Sequence, residues 1–275
     1  GDRANAALVP ARAVRMSAQP DIAYAEFAVQ SNFSFLRAAS KPEELAVAAR
    51  LLGYRAFGLA DRNSVAGVVR AWSQAQVDGF AFHPGCRLVF RDGAPDILAY
   101  PQDREGWGNL CRMLTVANER GEKGDPHLQE QDLLDRGDRL SLAVLPGPSH
   151  EADDTLSFLR RSRERFGDAV RLAHAPAYGG DDRFRLEQAA ALAHAAGVPL
   201  MAVNDVRYHA PERRRLQDVL TAIRLNTPVA EAGFALEANA ERHMKPPTGM
   251  ARLFARHPQA LAETIGFASE LRFSL

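Results

Sequence analysis

The chain has 275 residues, enough for one large domain or two smaller ones with a substantial buried core. It is 46% hydrophobic and 25% charged, ordinary globular composition, and no apolar run approaches membrane-spanning length. Its 34 basic residues balance 34 acidic ones, which removes the electrostatic case for an autonomous nucleic-acid-binding module. Cys86 and Cys111 are its two cysteines; they argue against a disulfide framework or zinc ribbon and suit a reducing cytoplasm.

Residues 1–22 are rich in Ala and Arg and lack the apolar centre of a secretory signal, so they are expected to form a poorly ordered leader. From Tyr24 onward, short apolar strands alternate with helical patterns, beginning with the strand "AEFAVQ". A helix follows over "SKPEELAVAARLLG". Ser40 and Glu43 have capping-box spacing, and Pro42 sits early, where its missing N–H costs little. Leu45, Ala48, Ala49 and Leu52 form one apolar stripe, and Gly53 suits the stop. "RAFGLAD" is the next strand. Asn63 or Ser64 is expected to cap a helix with Val65, Val68, Val69 and Trp72 facing inward.

"CRLVF" and "DILAY" read as strands joined through the turn-forming "RDGAP". A helix over 104–120 turns Leu110, Leu114 and Ala117 inward. Then come the strand "LSLAVL", a helix over 153–166, the strand "AVRLAH", a helix over 182–196 closed by Gly197, and the strand "PLMAVND". About seven strands, most followed by a helix, call for parallel strands with crossover helices in a closed or distorted barrel. Beyond Tyr208 the pattern turns helical, in "PERRRLQDVLTAIRL" and "PPTGMARLFARHPQALAETIGFASEL". The expected organisation is α/β: a leader over 1–22, a barrel over 23–210 and a helical extension over 211–275. The last residues, "RFSL", carry no cap or breaker, so a longer parent chain is expected.

GxSxG, GxxxxGKS, HExxH and GxGxxG are all absent. Position is then the guide, because functional side chains of α/β barrels sit at the carboxyl ends of strands. Those ends carry Gln30, Asp61 with Arg62, Arg87, His174, and Asp205 with Arg207. Asp61 and Asp205 are ion-paired structural residues, caps following strand ends, or metal ligands. His83, in "FHPG", reads as a turn residue, His174 as hydrogen-bonded structure, and Cys86 as a buried inert thiol. Phe33, Phe35 and Trp72 are expected to pack in the core rather than stack on bases. "RRSRER" and "ERRR" read as solvated helix faces.

Five segments, "YAEFAVQSNFSFL", "FGLADRNSVAGVVRAW", "GWGNLCRML", "LMAVNDVRYHAPERRRLQDVL" and "HMKPPTGMARLFARHPQALAETI", occur in the order seen in a known family. The chain from Tyr24 onward resembles the polymerase-and-histidinol-phosphatase (PHP) domain of bacterial C-family DNA polymerases, related to the polymerase III alpha subunit. The wording is most similar to their error-prone, damage-induced branch (the ImuC type). The resemblance implies a distorted βα barrel, and it implies a site. Family members with a working centre carry HxH on the first strand, where this chain has Ala28 and Gln30. They carry Asp-His after the second strand, where it has Asp61 and Arg62. A glutamate shortly after a glycine is Arg87, and the closing Asp-x-His is Asp205 and Arg207.

Alanine and glutamine are poor transition-metal ligands, and arginine cannot deprotonate to become one. The trinuclear centre that the resemblance implies is therefore expected to be lost, with no catalytic residue in this segment and no cofactor. Arg62, Arg87 and Arg207 are expected to replace the metals as counter-charge for Asp61 and Asp205. The family polymerises nucleotides with Mg2+ on a palm domain, expected after Leu275. Implied partners are the rest of that chain, DNA through the full-length protein, accessory mutagenesis proteins and a sliding clamp, in the cytoplasm and away from membranes. A metal-dependent phosphoesterase or exonuclease is the competing expectation.

Overall fold

The computed structural model describes residues 22–147 and 150–275, so the expected leader lies outside the described residues except for Ile22. Seven strands form one sheet in chain order: β1 (Ala25–Val29), β2 (Ala56–Arg62), β3 (Ala81–Leu88), β4 (Asp96–Pro101), β5 (Leu140–Leu145), β6 (Val170–His174) and β7 (Leu200–Ala202). Around them lie α1 (Pro42–Leu51), α2 (Val68–Asp78), α3 (Arg104–Arg120), α4 (Glu130–Arg136), α5 (Ala152–Phe166), α6 (Asp182–Ala196), α7 (Arg214–Leu225), α8 (Pro247–Leu253) and α9 (Pro258–Glu270). After β7 the chain meets the opposite edge of the sheet. Val206 N–H donates to Ala28 O at 2.7 Å, and Gln30 N–H donates to Val206 O at 2.9 Å. The sheet thereby curls into a distorted α/β barrel.

The strands are apolar on both faces because both are covered. On β4, Ile97 and Ala99 face the helices while Leu98 and Tyr100 face the interior; on β5, Leu142 and Val144 alternate with Ala143 and Leu145 in the same way. The interior is narrow and lined mainly by alanine around Phe27, Tyr100 and Phe267. Tyr100 explains two glycines that would otherwise weaken their strands. A Cβ on Gly58 would lie 2.5 Å from its ring, and one on Gly85 would lie 2.3 Å away. Its hydroxyl donates to Phe27 O at 2.5 Å.

Not every strand is parallel. β4 runs antiparallel to both β3 and β5, because the link from β3 to β4 is a short turn with no room for a crossover helix. The first helix caps one residue later than its sequence suggests: Lys41 N–H donates to Glu44 Oε2 at 2.8 Å, whereas Ser40 Oγ bonds His209 Nδ1 at 2.7 Å. α2 begins at Val68 after a turn over 63–67, and this register leaves Val69 56% exposed. α4 was not expected; it is one short amphipathic turn pair that buries Leu133.

The carboxy-terminal helices do not all stand apart from the barrel. α9 closes its amino-terminal end. Thr264 Oγ1 accepts from Ala25 N–H at 3.2 Å, and Arg171 on β6 donates to Glu263 at 3.0 Å and to Glu270 at 3.1 Å. Phe267 enters the interior, its ring centroid 4.9 Å from Phe27 and 5.8 Å from Tyr100. Among the described residues no helix is long and apolar enough to cross a membrane.

Candidate functional site

The carboxyl ends of β1, β2, β3 and β7 converge at the opposite mouth and split the expected site into two unlike halves. Asp205 anchors the first. It follows β7 with φ of 47°, an unusual conformation for a non-glycine residue. Arg87, near the end of β3, donates from Nη1 to Asp205 Oδ1 at 2.6 Å and from Nε to Asp96 Oδ2 at 2.7 Å. Gln30 Nε2 donates to the same Asp205 oxygen at 3.5 Å. Arg242 Nη1 lies 3.4 Å and Arg207 Nη2 4.0 Å from Asp205 Oδ2. Arg207 also pairs with Glu237 through Nη1. Arg242 is brought in by backbone pairing, since Arg207 N–H donates to Arg242 O at 2.9 Å. Burial alone would raise the Asp205 carboxyl, but Arg87, Arg242 and Arg207 hold it well below the usual carboxylate range.

Asp61 forms the second half and, among the described residues, pairs with no arginine. It is 1% exposed and lies in a cradle of two serines. Oδ1 accepts from Ser31 N–H at 2.7 Å, Ser34 N–H at 3.1 Å and Ser34 Oγ at 2.7 Å; Oδ2 accepts from Ser31 Oγ at 2.7 Å. Burial pushes this carboxyl up to about 6, the serine bonds acting in the opposite sense. The cradle is tight: a Cβ on Gly67 would lie 2.9 Å from Asp61 Oδ2. Neutral donors therefore replace the arginine counter-charge expected here, and Arg62 points elsewhere. Ser34 Oγ also accepts from Arg62 N–H at 3.0 Å, which ties the loop after β1 to the end of β2.

These residues do not fit a metal centre. Ala28 offers no donor, the Gln30 amide is turned to Asp205, and three guanidinium groups crowd the one well-ionised carboxylate. Among the described residues no three His, Cys, Asp or Glu side chains converge as a metal site would need. His174 ends β6 away from both halves, beside Phe254 at 6.2 Å between ring centroids; its Nε2 has no partner among the described residues, and burial lowers the ring to about 4. His83 lies within β3 rather than in a turn and is likewise pushed down to about 4 by burial. Cys86 is fully buried, its thiol raised by burial and donating to Asp61 O at 3.3 Å, which makes it inert.

Phe33 and Trp72 are partly buried, but Phe35 is 77% exposed, contrary to its expected place in the core. The helix-surface arginines pair locally, as with Arg161–Glu130 at 3.1 Å and Arg214–Asp218 at 3.2 Å. Ser31, Ser34, Asp96, Glu237 and Arg242 were missed. The first two stand in "QSNFS", where the spacing after a strand end hints at a carboxylate cradle; Glu237 and Arg242 carry no local signal.

A curled barrel with a polar mouth at its strand ends defines the class first. It has the fold of amidohydrolase-like barrels. An amidohydrolase from Chromobacterium violaceum, described with bound sulfate and no metal, matches with a TM-score of 0.50 over 67% of this chain and 88% of that one, at 14% identity, a likeness of fold alone. The family is narrower: residues 26–187 match the PHP domain, and the chain belongs to the PHP domain family. It is 68% identical over 262 residues to a protein of Mesorhizobium japonicum named error-prone DNA polymerase. It is also 48% identical over 256 residues to error-prone DNA polymerase 1 of Rhizobium meliloti. Both alignments cover more than nine-tenths of this chain, which spans 23% of the length of each relative.

Proposed function

We propose that this chain is the metal-free, non-catalytic PHP scaffold of an error-prone DNA polymerase acting in damage-induced mutagenesis and translesion synthesis. The observation that carries the reading is the Asp205 cluster, where a position that would bind a cation in the working family site is saturated by Arg87, Arg207 and Arg242. Arginine supplies the positive charge that stabilises the mouth but offers no exchangeable coordination site and no activated water. Asp61, the other retained acid, already accepts four hydrogen bonds from Ser31 and Ser34. The barrel's role is then mechanical: a rigid body on which the remaining polymerase chain docks.

In this reading nucleotidyl transfer with Mg2+ belongs to a palm outside the segment. DNA is met through the full-length protein, accessory mutagenesis proteins and a sliding clamp are its partners, and it works in the cytoplasm. Incubation of the purified chain with Mn2+ and either single-stranded DNA or a phosphomonoester tests the proposal. No hydrolysis above background is expected. Activity that survives rigorous purification and disappears in Asp61→Ala would overturn it in favour of a metal-dependent phosphoesterase or exonuclease.

A further inference from the structure

Beside the closed Asp205 cluster the barrel mouth carries a groove of different character, about 660 Å3 in volume. Its walls come from the loop after β1, the loop after β2, the segment after β3 and the turn between α3 and α4, with the end of α7 at its rim. Four arginines line it, Arg37, Arg62, Arg91 and Arg224, against a single aspartate, Asp125. Arg91 bonds Asp125 and so is neutralised. The other three have no carboxylate within ion-pair distance among the described residues.

These cations act on one another, and Arg62 also feels the more distant carboxylates of Asp96 and Asp125. Arg37 is lowered to about 10, first by burial and then by the charges of Arg62, Arg224, Arg207 and Arg87. Arg37 and Arg62 are partly buried, where arginines are normally paired, and with the exposed Arg224 they create a local positive field that the neutral whole-chain charge conceals. Aromatic surface accompanies it. Phe35 stands 77% exposed at the groove, and Phe33 beside it carries the Arg70 guanidinium 5.8 Å above its ring.

Guanidinium forks match phosphate oxygens, and an exposed ring offers any nucleobase a stacking face. An enclosed small anion would need the charges but not the ring. We infer that this groove binds single-stranded nucleic acid, with Arg37, Arg62 and Arg224 on its phosphates and a base stacked on Phe35. The site is separate from the Asp205 cluster, needs no metal, and stands whether or not the scaffold reading holds.

Fluorescence anisotropy of this chain with a short labelled oligothymidylate tests the inference, with an abasic strand of equal length and inorganic pyrophosphate as further probes. The oligonucleotide is expected to bind at low salt, log K falling with log salt at a slope of about −2, three phosphates at about −0.7 each. Arg62→Ala combined with Arg224→Ala is expected to weaken binding more than about tenfold and to bring the slope near −0.7. Phe35→Ala is expected to weaken oligothymidylate by at least about fivefold and to leave the abasic strand unaffected. Thermal melts establish that the variants remain folded. Absence of binding, or binding indifferent to the double arginine variant, would overturn the inference. Pyrophosphate bound as tightly as the strand, with no effect of Phe35→Ala, would overturn it too, by making the groove a small-anion site.

Discussion

Arg87→Met keeps much of the apolar stem at the centre of the mouth and removes its charge. In the native fold the guanidinium bonds Asp205 at 2.6 Å and Asp96 at 2.7 Å, with side chains that are 14%, 8% and 22% exposed respectively. Its loss leaves Asp205 with Arg242 at 3.4 Å, Gln30 at 3.5 Å and Arg207 at 4.0 Å, all weaker contacts. Breaking one side of a buried ion pair costs about 3–5 kcal/mol, and the remaining cations place this case near the lower end. At roughly 2.1 cal/mol/K per residue, unfolding of a chain this size carries an entropy of roughly 0.6 kcal/mol/K, so the melting temperature should fall by roughly 5 °C. Asp205→Asn should also destabilise, because it removes the charge shared by three guanidinium groups and leaves Arg87 with Asp96 and Arg207 and Arg242 with Glu237 alone. The double variant should lose about 1–3 kcal/mol less than the sum of the two single losses. Thermal and urea denaturation at neutral pH measure all four proteins. A melting temperature for Arg87→Met within about 1 °C of the wild type, or single effects that simply add, would refute the reasoning.

Burial raises Glu26 to about 7 and Asp61 to about 6, above their unfolded values, so the stability they contribute is complete below pH about 4 and lost as pH climbs through 6 to 7. The melting temperature should therefore decline between pH 5 and 8, less so in Glu26→Gln; a profile that rises across this range would contradict the assignment. Asp205 acts oppositely: its depressed carboxyl stabilises above about pH 4 and loses that contribution in acid, so stability should also drop there, more steeply than in Asp205→Asn. Phe267→Ala should cost about 3–5 kcal/mol by opening a cavity between Phe27 and Tyr100. A loss under about 1 kcal/mol in urea denaturation would mean that α9 does not seal the barrel.

Much of the barrel was legible because strand and helix periods differ sharply along this chain. The helices over 104–120 and 182–196 fall where their apolar stripes end at Gly121 and Gly197. The antiparallel β4 was not read, since an apolar strand of six residues looks the same in either direction and only the short "RDGAP" link hinted at reversal. At the site, the pairing of Asp205 with Arg87 and Arg207 followed from charge. The fate of Asp61 did not follow. Its partners are hydroxyls and backbone N–H groups of a loop, which carry no charge pattern in the sequence. Arg242 was invisible for another reason, because a backbone pairing distant in sequence delivers it to the mouth. Phe35 was misread since a phenylalanine beside a strand is more often core than surface.

The most direct test of the central claim is the metal content of the purified chain, measured by elemental mass spectrometry after preparation without chelators and with zinc, manganese and iron supplied during expression. The arginine-saturated Asp205 and serine-cradled Asp61 predict no stoichiometric metal of any of the three. About two or more equivalents bound per chain, as a working multinuclear centre would hold, would contradict the account.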